Sequence, residues 1–194
     1  MSKKIIAITG GIGSGKSLAA KFLREAGYKV VSCDEITAEL YKKRRVKKGI
    51  GKIFPSAVSG KIIYRIDKKI VSNEVFSDDE KRNRLNSYLH PLIIGKALKI
   101  AKSGKGDIAF VEIPLLFESE SEGLFDGVIV ILRDKDKRIE AVKKRAGISG
   151  EDVIKRIEKQ FDYEAADLKD YVVINNGEGK DALREKILKA VKNF

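Results

Sequence analysis

Residues 10–17, GGIGSGKS, constrain the fold of this chain more than any other stretch. They fit the pattern G-x-x-x-x-G-K-[ST], and they lie between an apolar run and a helix-like segment, as such a loop requires. The glycines allow the backbone to turn its N–H groups inward around phosphate oxygens, in conformations that leave no room for side chains. The stretch therefore predicts a phosphate-binding loop between a strand and a helix, rather than a glycine-rich turn that fits by chance.

The residue types of this loop predict which part of a bound nucleotide each would contact. Lys16 would reach the terminal phosphates, and the hydroxyl of Ser17 would bind magnesium. The helix that follows would point its positive N-terminal end at the phosphates. The residues expected to bind the nucleotide are Gly11, Ile12, Gly13, Ser14, Gly15, Lys16, Ser17 and Leu18.

The length of 194 residues and the hydrophobic content of 43% predict one α/β domain over residues 1–194. The sequence has no apolar run of about eighteen residues, and it shows no apolar signal segment at its start. We therefore expect a cytoplasmic protein with no membrane partner. Cys33 is the only cysteine, which excludes an intrachain disulfide and fits a reducing compartment.

The net charge of +12 raises the question of whether the chain binds nucleic acid. The densest basic run, residues 42–48, has no interleaved aromatic residue beyond Tyr41. A solvated helix face explains this run, and so does an enzyme that binds polyanionic small molecules, because a positive field concentrates anionic ligands. The charge alone therefore does not choose between these partners.

Alternating strand-like and helix-like segments predict a parallel sheet that is covered by helices. Apolar runs such as IAFVEIP and GVIVIL are typical of central strands that are buried on both faces. The predicted fold is the P-loop NTPase α/β fold, with three layers (α/β/α) and a central five-stranded parallel sheet. The expected strands are residues 4–9, 28–31, 108–114, 127–132 and 171–174.

Two acidic residues lie near the ends of predicted strands. Asp34 opens a helical stretch as its N-cap or as the last loop residue, and Glu112 lies near the end of the third strand. Ligands collect at the carboxyl ends of parallel strands, so Asp34 is expected to share a crevice with the phosphate loop. Glu112 would supply a second-shell carboxylate to magnesium or would simply cap its strand.

Two segments interrupt the regular alternation. Residues 46–106 predict a mostly helical insertion that binds a second substrate, with a long helix over about 78–102 that is interrupted near His90 and Pro91. Residues 133–150 predict a basic lid of two helices and a turn, with Ser149 as the N-cap of the second helix. The alternative for this second segment is an exposed basic helix without a role in binding.

Six segments together carry a family resemblance. They are GGIGSGKS, VVSCDEI around Asp34, His90-Pro91-Leu92, EIPLLFE at 112–118, RAGIS before RIEKQ, and VINNG at 173–177. Their order and spacing are similar to those of dephospho-CoA kinases, over nearly the whole chain. The phosphate loop by itself is specific only to a superfamily, whereas the ordered set is specific to one enzyme.

The resemblance implies phosphoryl transfer from ATP, with Mg²⁺, to the 3′-hydroxyl of dephospho-CoA, which is the last step of coenzyme A synthesis. It implies catalytic roles for Asp34, Lys16 and Arg145, of which Asp34 would orient or deprotonate the acceptor hydroxyl. It places adenine near Asn175, although an Asn-Gly turn is the alternative there. The residues expected to bind the acceptor are Asp34, His90, Pro91, Lys68 and Leu115; from the residues alone, His90 and Leu115 would more often be structural.

The chain departs from the family pattern at three positions. Ala141 replaces the first arginine of the family's lid, and Arg138, two helical turns before Arg145, or Lys144 could take its place. Lys68 and Ser32 replace an arginine and an aspartate that many relatives have. Lysine can neutralise a phosphate but cannot form the bidentate fork of arginine.

Two other functional classes fit the phosphate loop. One is a P-loop kinase for another nucleotide or metabolite, and the other is an NTPase that depends on nucleic acid. We expect no nucleic-acid partner, because little chain is left for such a module after the sheet, insertion and lid. The expected partners are ATP and dephospho-CoA, with the protein as a monomer or weak homo-oligomer.

Overall fold

The computed structural model describes residues 3–60 and 64–194. The chain divides into two compact units. The first unit combines the residues up to Ser32 with Leu98–Phe194, and the second comprises Cys33–Ala97.

The first unit contains a five-stranded parallel sheet with helices around it, which confirms the predicted fold. Its strands are β1 (Lys4–Thr9), β2 (Lys29–Ser32), β5 (Ile108–Glu112), β6 (Gly127–Leu132) and β7 (Val172–Asn175). Strand β1 lies at the centre of the sheet between β5 and β6, β2 is the edge strand beyond β5, and β7 is the edge strand beyond β6. The bounds of β1 and β6 are those that the sequence predicts, and the other three differ by one or two residues.

The central strands are apolar on both faces because both faces of the sheet are buried. Helices α1 (Lys16–Glu25) and α8 (Lys180–Ala190) contact each other and the same part of the core. Ile6, Ile129 and Leu183 are nearly or fully buried members of this cluster. The sheet therefore forms a rigid base from which the loops at the strand ends project.

Two further helices of the first unit follow β6. Helix α6 (Lys135–Ala146) is followed by its C-cap Gly147, which has a φ of 64°. Helix α7 (Gly150–Glu158) begins after its N-cap Ser149. The Ser149 hydroxyl accepts a hydrogen bond from Asp152 N–H, which confirms the predicted cap. Helix, turn and helix thus follow one another over the segment that the sequence assigns to a lid.

The second unit is mostly helical. It contains α2 (Cys33–Leu40), α3 (Arg44–Ile53), α4 (Lys68–Ser77) and most of α5 (Asp79–Lys102). Two strands of two residues each, β3 (Val58–Ser59) and β4 (Arg65–Ile66), pair antiparallel, and this pairing was not predicted from the sequence. Asp34 lies in the first turn of α2. The prediction that it is the N-cap or the last loop residue before the helix was therefore wrong.

The expected interruption of α5 near His90 and Pro91 was wrong, because the helix continues through both residues. Proline removes one backbone N–H and therefore one helical hydrogen bond. The helix nevertheless buries Leu89, Ile93 and Ala97, which recur at helical spacing on one face. This burial outweighs the single lost hydrogen bond, so the helix does not end at the proline.

Candidate functional site

The phosphate loop joins the end of β1 to the start of α1. Gly15 lies directly before the helix, with a φ of 104° that residues other than glycine rarely adopt. A Cβ atom at Gly15 would also lie only 2.3 Å from Asn176 Nδ2. A glycine is therefore required at this position both by the backbone conformation and by the close approach of Asn176.

Lys16 and Ser17 begin α1, where the sequence pattern places them. The ammonium of Lys16 donates to the carbonyl of Gly11 at 3.3 Å, so the lysine folds back over the loop. The Ser17 hydroxyl donates to Glu112 Oε1 at 2.5 Å, and the carboxylate of Glu112 is 5% exposed at the end of β5. The structure thus brings Ser17 and Glu112 together.

These oxygen atoms suit Mg²⁺, which prefers hard oxygen ligands and often completes its shell with substrate phosphates and water. Within residues 3–60 and 64–194, no group of three His, Cys, Asp or Glu side chains could hold a metal ion. Ser17 is the residue that would contact magnesium directly, with Glu112 fixing the direction of its hydroxyl.

Side chains from other elements hold the carbonyl groups of the loop. Asn176, directly after β7, donates from Nδ2 to the Ser14 carbonyl at 2.7 Å. Arg133, directly after β6, donates from Nη1 to the Gly13 carbonyl at 3.3 Å. The loop is therefore anchored by residues that follow its neighbouring strands.

Arg138 and Gln160 hold Ile12 from two sides. Arg138 Nε donates to the Ile12 carbonyl at 3.0 Å, and the Ile12 N–H donates to Gln160 Oε1 at 2.7 Å. Arg138 is 6% exposed and its Nη1 lies 4.0 Å from Glu164 Oε1. Burial lowers the pKa of Arg138 from its ordinary value, and Glu164 partly offsets this effect.

A cavity of about 350 Å³ lies beside the loop. Within the described residues, two buried atoms of its lining residues, Ser14 Oγ and Arg133 Nε, have no hydrogen-bond partner. Buried polar atoms normally have partners, so a polar ligand in this cavity would satisfy them. The other lining residues include Gly11, Asp134, Arg138, Tyr163, Glu164 and Asn175.

The candidates for the lid cation differ in their surroundings. Arg145 and Lys144 are exposed near the end of α6, and neither forms an ion pair with a described residue. Arg138 instead lines the cavity beside the loop. The structure therefore brings Arg138, rather than Arg145 or Lys144, to the phosphate loop.

In the second unit, Asp34 and Lys68 line one cavity of about 400 Å³. The Lys68 ammonium lies 5.2 Å from the centre of the Tyr41 ring, and Tyr41 also lines this cavity. The remaining lining residues are largely small or apolar, among them Ala38 and Val71. A carboxylate, an ammonium and apolar walls suit a ligand that has both polar and apolar parts.

The other predicted acceptor residues lie outside that cavity's lining. His90 is half-buried and Pro91 is exposed, both within α5. Leu115 belongs to the first unit, where it is half-buried in the turns that follow β5. His90, Pro91 and Leu115 are therefore not among the residues that line this cavity.

The basic run lies mainly on α3 and lines a separate, open pocket. Arg44, Arg45, Lys48 and Lys52 are exposed, whereas the apolar residues of α3 are buried. Tyr88 covers Gly49 and donates a long hydrogen bond of 3.5 Å to the Arg45 carbonyl. The arrangement fits a solvated face of an amphipathic helix.

Sequence reasoning missed the supporting residues of the loop, namely Asn176, Arg133, Gln160 and Tyr163. Tyr163 OH lies 3.1 Å from Thr9 Oγ1, and burial raises the pKa of Tyr163 to about 12. Two segments offered a signal: the Asn-Asn-Gly sequence after β7, which pointed equally to a turn, and RIEKQ, which ends at Gln160 and belongs to the family pattern. The contacts of Gln160 and Tyr163 cross about 150 residues of sequence, so no local pattern reveals them.

Comparisons with known proteins point to one family. The dephospho-CoA kinase family model matches residues 4–181. A dephospho-CoA kinase of Fusobacterium nucleatum is 34% identical over 189 residues, which cover 96% of each chain. Another, from Thermus thermophilus, is 34% identical over 188 residues, covering 96% of this chain and 89% of its own.

Solved structures agree with this result. A crystal structure of a Thermus thermophilus protein has a TM-score of 0.87 at 33% identity, covering 100% of this chain and 98% of its own. The dephospho-CoA kinase of Campylobacter jejuni has a TM-score of 0.66 at 29% identity, covering 98% of this chain and 96% of its own. In the part of the chain that the structure describes, no helix is both long and apolar enough to cross a membrane.

His90 yields a prediction on stability. Burial lowers the pKa of His90 below its ordinary value of 6.5, so the unfolded chain binds a proton at a higher pH than the folded chain does. The free energy of unfolding should therefore fall as the pH drops below ~6.5, and His90→Asn should weaken this dependence. Urea unfolding of both proteins at ~pH 8 and ~pH 5.5 measures it. Equal losses of stability in the two proteins would contradict the assigned protonation.

Proposed function

The chain belongs to the dephospho-CoA kinase family, and we propose that it performs the family's reaction through the two sets of residues described above. It is an ATP-dependent kinase, which transfers the γ-phosphoryl group of ATP to the 3′-hydroxyl of dephospho-CoA. The product is coenzyme A. The observation that carries this function is the family match over residues 4–181, joined to a complete phosphate loop whose Ser17 is held by Glu112.

The first unit supplies the donor site. Backbone N–H groups of the loop and Lys16 bind the phosphates of ATP, and the cavity beside the loop receives further parts of the nucleotide. Asn175 lines this cavity, which supports its predicted place near the adenine. Ser17, whose hydroxyl is oriented by Glu112, would hold magnesium, which would supply positive charge to the phosphate oxygens.

The second unit supplies most of the acceptor site. Asp34 orients the 3′-hydroxyl and accepts its proton, and Lys68, in the same cavity, neutralises a phosphate of the acceptor. His90, Pro91 and Leu115 remain predicted acceptor contacts on the basis of the family motif. Burial lowers the pKa of His90 and so favours its neutral form, which suits a binding role better than a charge-neutralising one.

Arg138 supplies the positive charge of the family arginine that Ala141 replaces in this chain. Its guanidinium is already in the wall of the donor cavity and is paired only loosely with Glu164, at 4.0 Å. A permanent cation beside the phosphate loop stabilises the charge that spreads over the transferring oxygens. Arg145 remains a second predicted catalytic cation, which would reach the phosphates only if the lid closes.

The partners follow from this assignment. ATP and dephospho-CoA are the proposed ligands, and nucleic acid is not expected to take part. The basic face of α3 contributes instead to a positive field that concentrates anionic substrates. A cytoplasmic location and a monomeric or weakly oligomeric state remain predictions.

The choice of acceptor distinguishes this function from its rivals. With saturating ATP and Mg²⁺, ADP formation with dephospho-CoA should exceed that with nucleoside monophosphates by about 100-fold or more, because polar acceptor groups discriminate strongly. A coupled assay for ADP measures all acceptors under the same conditions. Higher turnover with a monophosphate would indicate another kinase, and stimulation by a polynucleotide would indicate an NTPase that depends on nucleic acid.

Asp34 provides the sharpest test of the acceptor site. Asp34→Asn should lower kcat by about 100-fold or more, because the amide cannot accept the proton of the hydroxyl. The KM for ATP should stay within about three-fold, because the residue binds no part of the donor. Glu35→Gln is the matched control, because it removes a negative charge from the same turn of α2. Similar kcat values for the two variants would contradict the catalytic role of Asp34.

A further inference from the structure

Ile12 is held by side chains on both of its peptide groups. Its N–H donates to Gln160 Oε1 at 2.7 Å, and its carbonyl accepts from Arg138 Nε at 3.0 Å. Both distances are those of well-formed hydrogen bonds. The N–H of Ile12 is therefore occupied by Gln160, so the amides that bind phosphate must lie elsewhere in the loop.

One side chain comes from the first helix of the proposed lid, and the other follows the second helix. Arg138 lies in the first turns of α6, and Gln160 is the second residue after the end of α7. The loop also packs closely against α6, since a Cβ atom at Gly13 would lie 2.7 Å from the Arg138 carbonyl oxygen. The base of the lid and the phosphate loop are thus in direct contact at Ile12 and Gly13.

The segment after α7 contacts the loop region at further points. Tyr163 OH and the fully buried Thr9 Oγ1 are 3.1 Å apart, directly before the loop. Glu164 lies beside Arg138, with a separation of 4.0 Å. Gln160, Tyr163 and Glu164 together form a strap, residues 160–164, that runs along one side of the phosphate loop.

We propose that Gln160 is a positioning residue for phosphoryl transfer, which fixes the Ile12 peptide and with it the alignment of the phosphate loop. The proposal rests on the proposed kinase function. Gln160 acts through Ile12 and is not assigned any contact with the reacting atoms. In-line transfer depends on sub-ångström placement, and a displacement of about 1 Å can cost about 100-fold in rate.

The choice of an amide at this position has a physical reason. Ile12 N–H requires an acceptor oxygen, which glutamine and glutamate both provide. Only glutamine provides that oxygen without a negative charge next to the triphosphate of ATP. Substitutions at Gln160 can therefore separate the loss of the hydrogen bond from the effect of charge on nucleotide binding.

The kinetic test compares Gln160→Met with Gln160→Glu in the full-length enzyme, with ATP, Mg²⁺ and dephospho-CoA. The methionine variant keeps the size but loses the acceptor, so kcat should fall about 10-fold while the KM for ATP changes by less than about three-fold. The glutamate variant keeps the acceptor, so kcat should stay within about three-fold while the KM for ATP rises about 10-fold through charge repulsion. Glu158→Met, on the exposed last turn of α7, is the control.

A second readout does not depend on any reaction. Hydrogen exchange of the Ile12 amide, followed by NMR in the nucleotide-free protein, should accelerate about 10-fold or more in Gln160→Met and stay near wild type in Gln160→Glu. Unchanged exchange, or equal losses of kcat in both variants, would overturn the positioning role. If wild type does not phosphorylate dephospho-CoA, the proposed function fails, whereas the exchange result still decides whether Gln160 holds Ile12.

Discussion

A phosphate-binding loop works only if its backbone stays in a conformation that a free peptide would rarely keep. In this chain the restraint comes from glycines within the loop and from side chains of distant elements. Asn176 holds Ser14, Arg133 holds Gly13, and Arg138 reaches Ile12. These anchors follow β7 and β6 or lie in α6, so the order of strands in the sheet decides which residues can reach the loop. The site therefore depends on the whole first unit rather than on a short motif.

Both cationic and acidic side chains surround the phosphate loop. Arg133 and Arg138 line the cavity together with Asp134 and Glu164. Lys16, at the start of α1, donates to the Gly11 carbonyl, and the Ser17 hydroxyl donates to Glu112. No cluster of three metal-binding side chains occurs among the residues that the structure describes. Ser17 would hold a magnesium ion through its hydroxyl, because Mg²⁺ prefers oxygen ligands.

The sequence was sufficient for those features that have a period or a local pattern. The apolar runs of β1 and β6 gave their bounds, and Ser149 and Gly147 marked the turn between α6 and α7. It failed at Pro91, because the packing of one helix face outweighs a local breaker. It did not reveal the contacts of Gln160 and Asn176 with the loop, which span more than a hundred residues of sequence. Such contacts depend on topology, which leaves no local signal in one sequence.

The position of the transferred phosphoryl group tests the proposed kinase reaction. In the proposed reaction, the loop in the first unit binds ATP, and ATP donates its γ-phosphoryl group to the 3′-hydroxyl of dephospho-CoA. Phosphorus NMR of the reaction mixture distinguishes the possible products. We expect one new phosphomonoester, coupled to the ribose 3′-proton, in an amount equal to the ADP formed. Release of inorganic phosphate instead, or a phosphoryl group at another position, would contradict the proposed reaction.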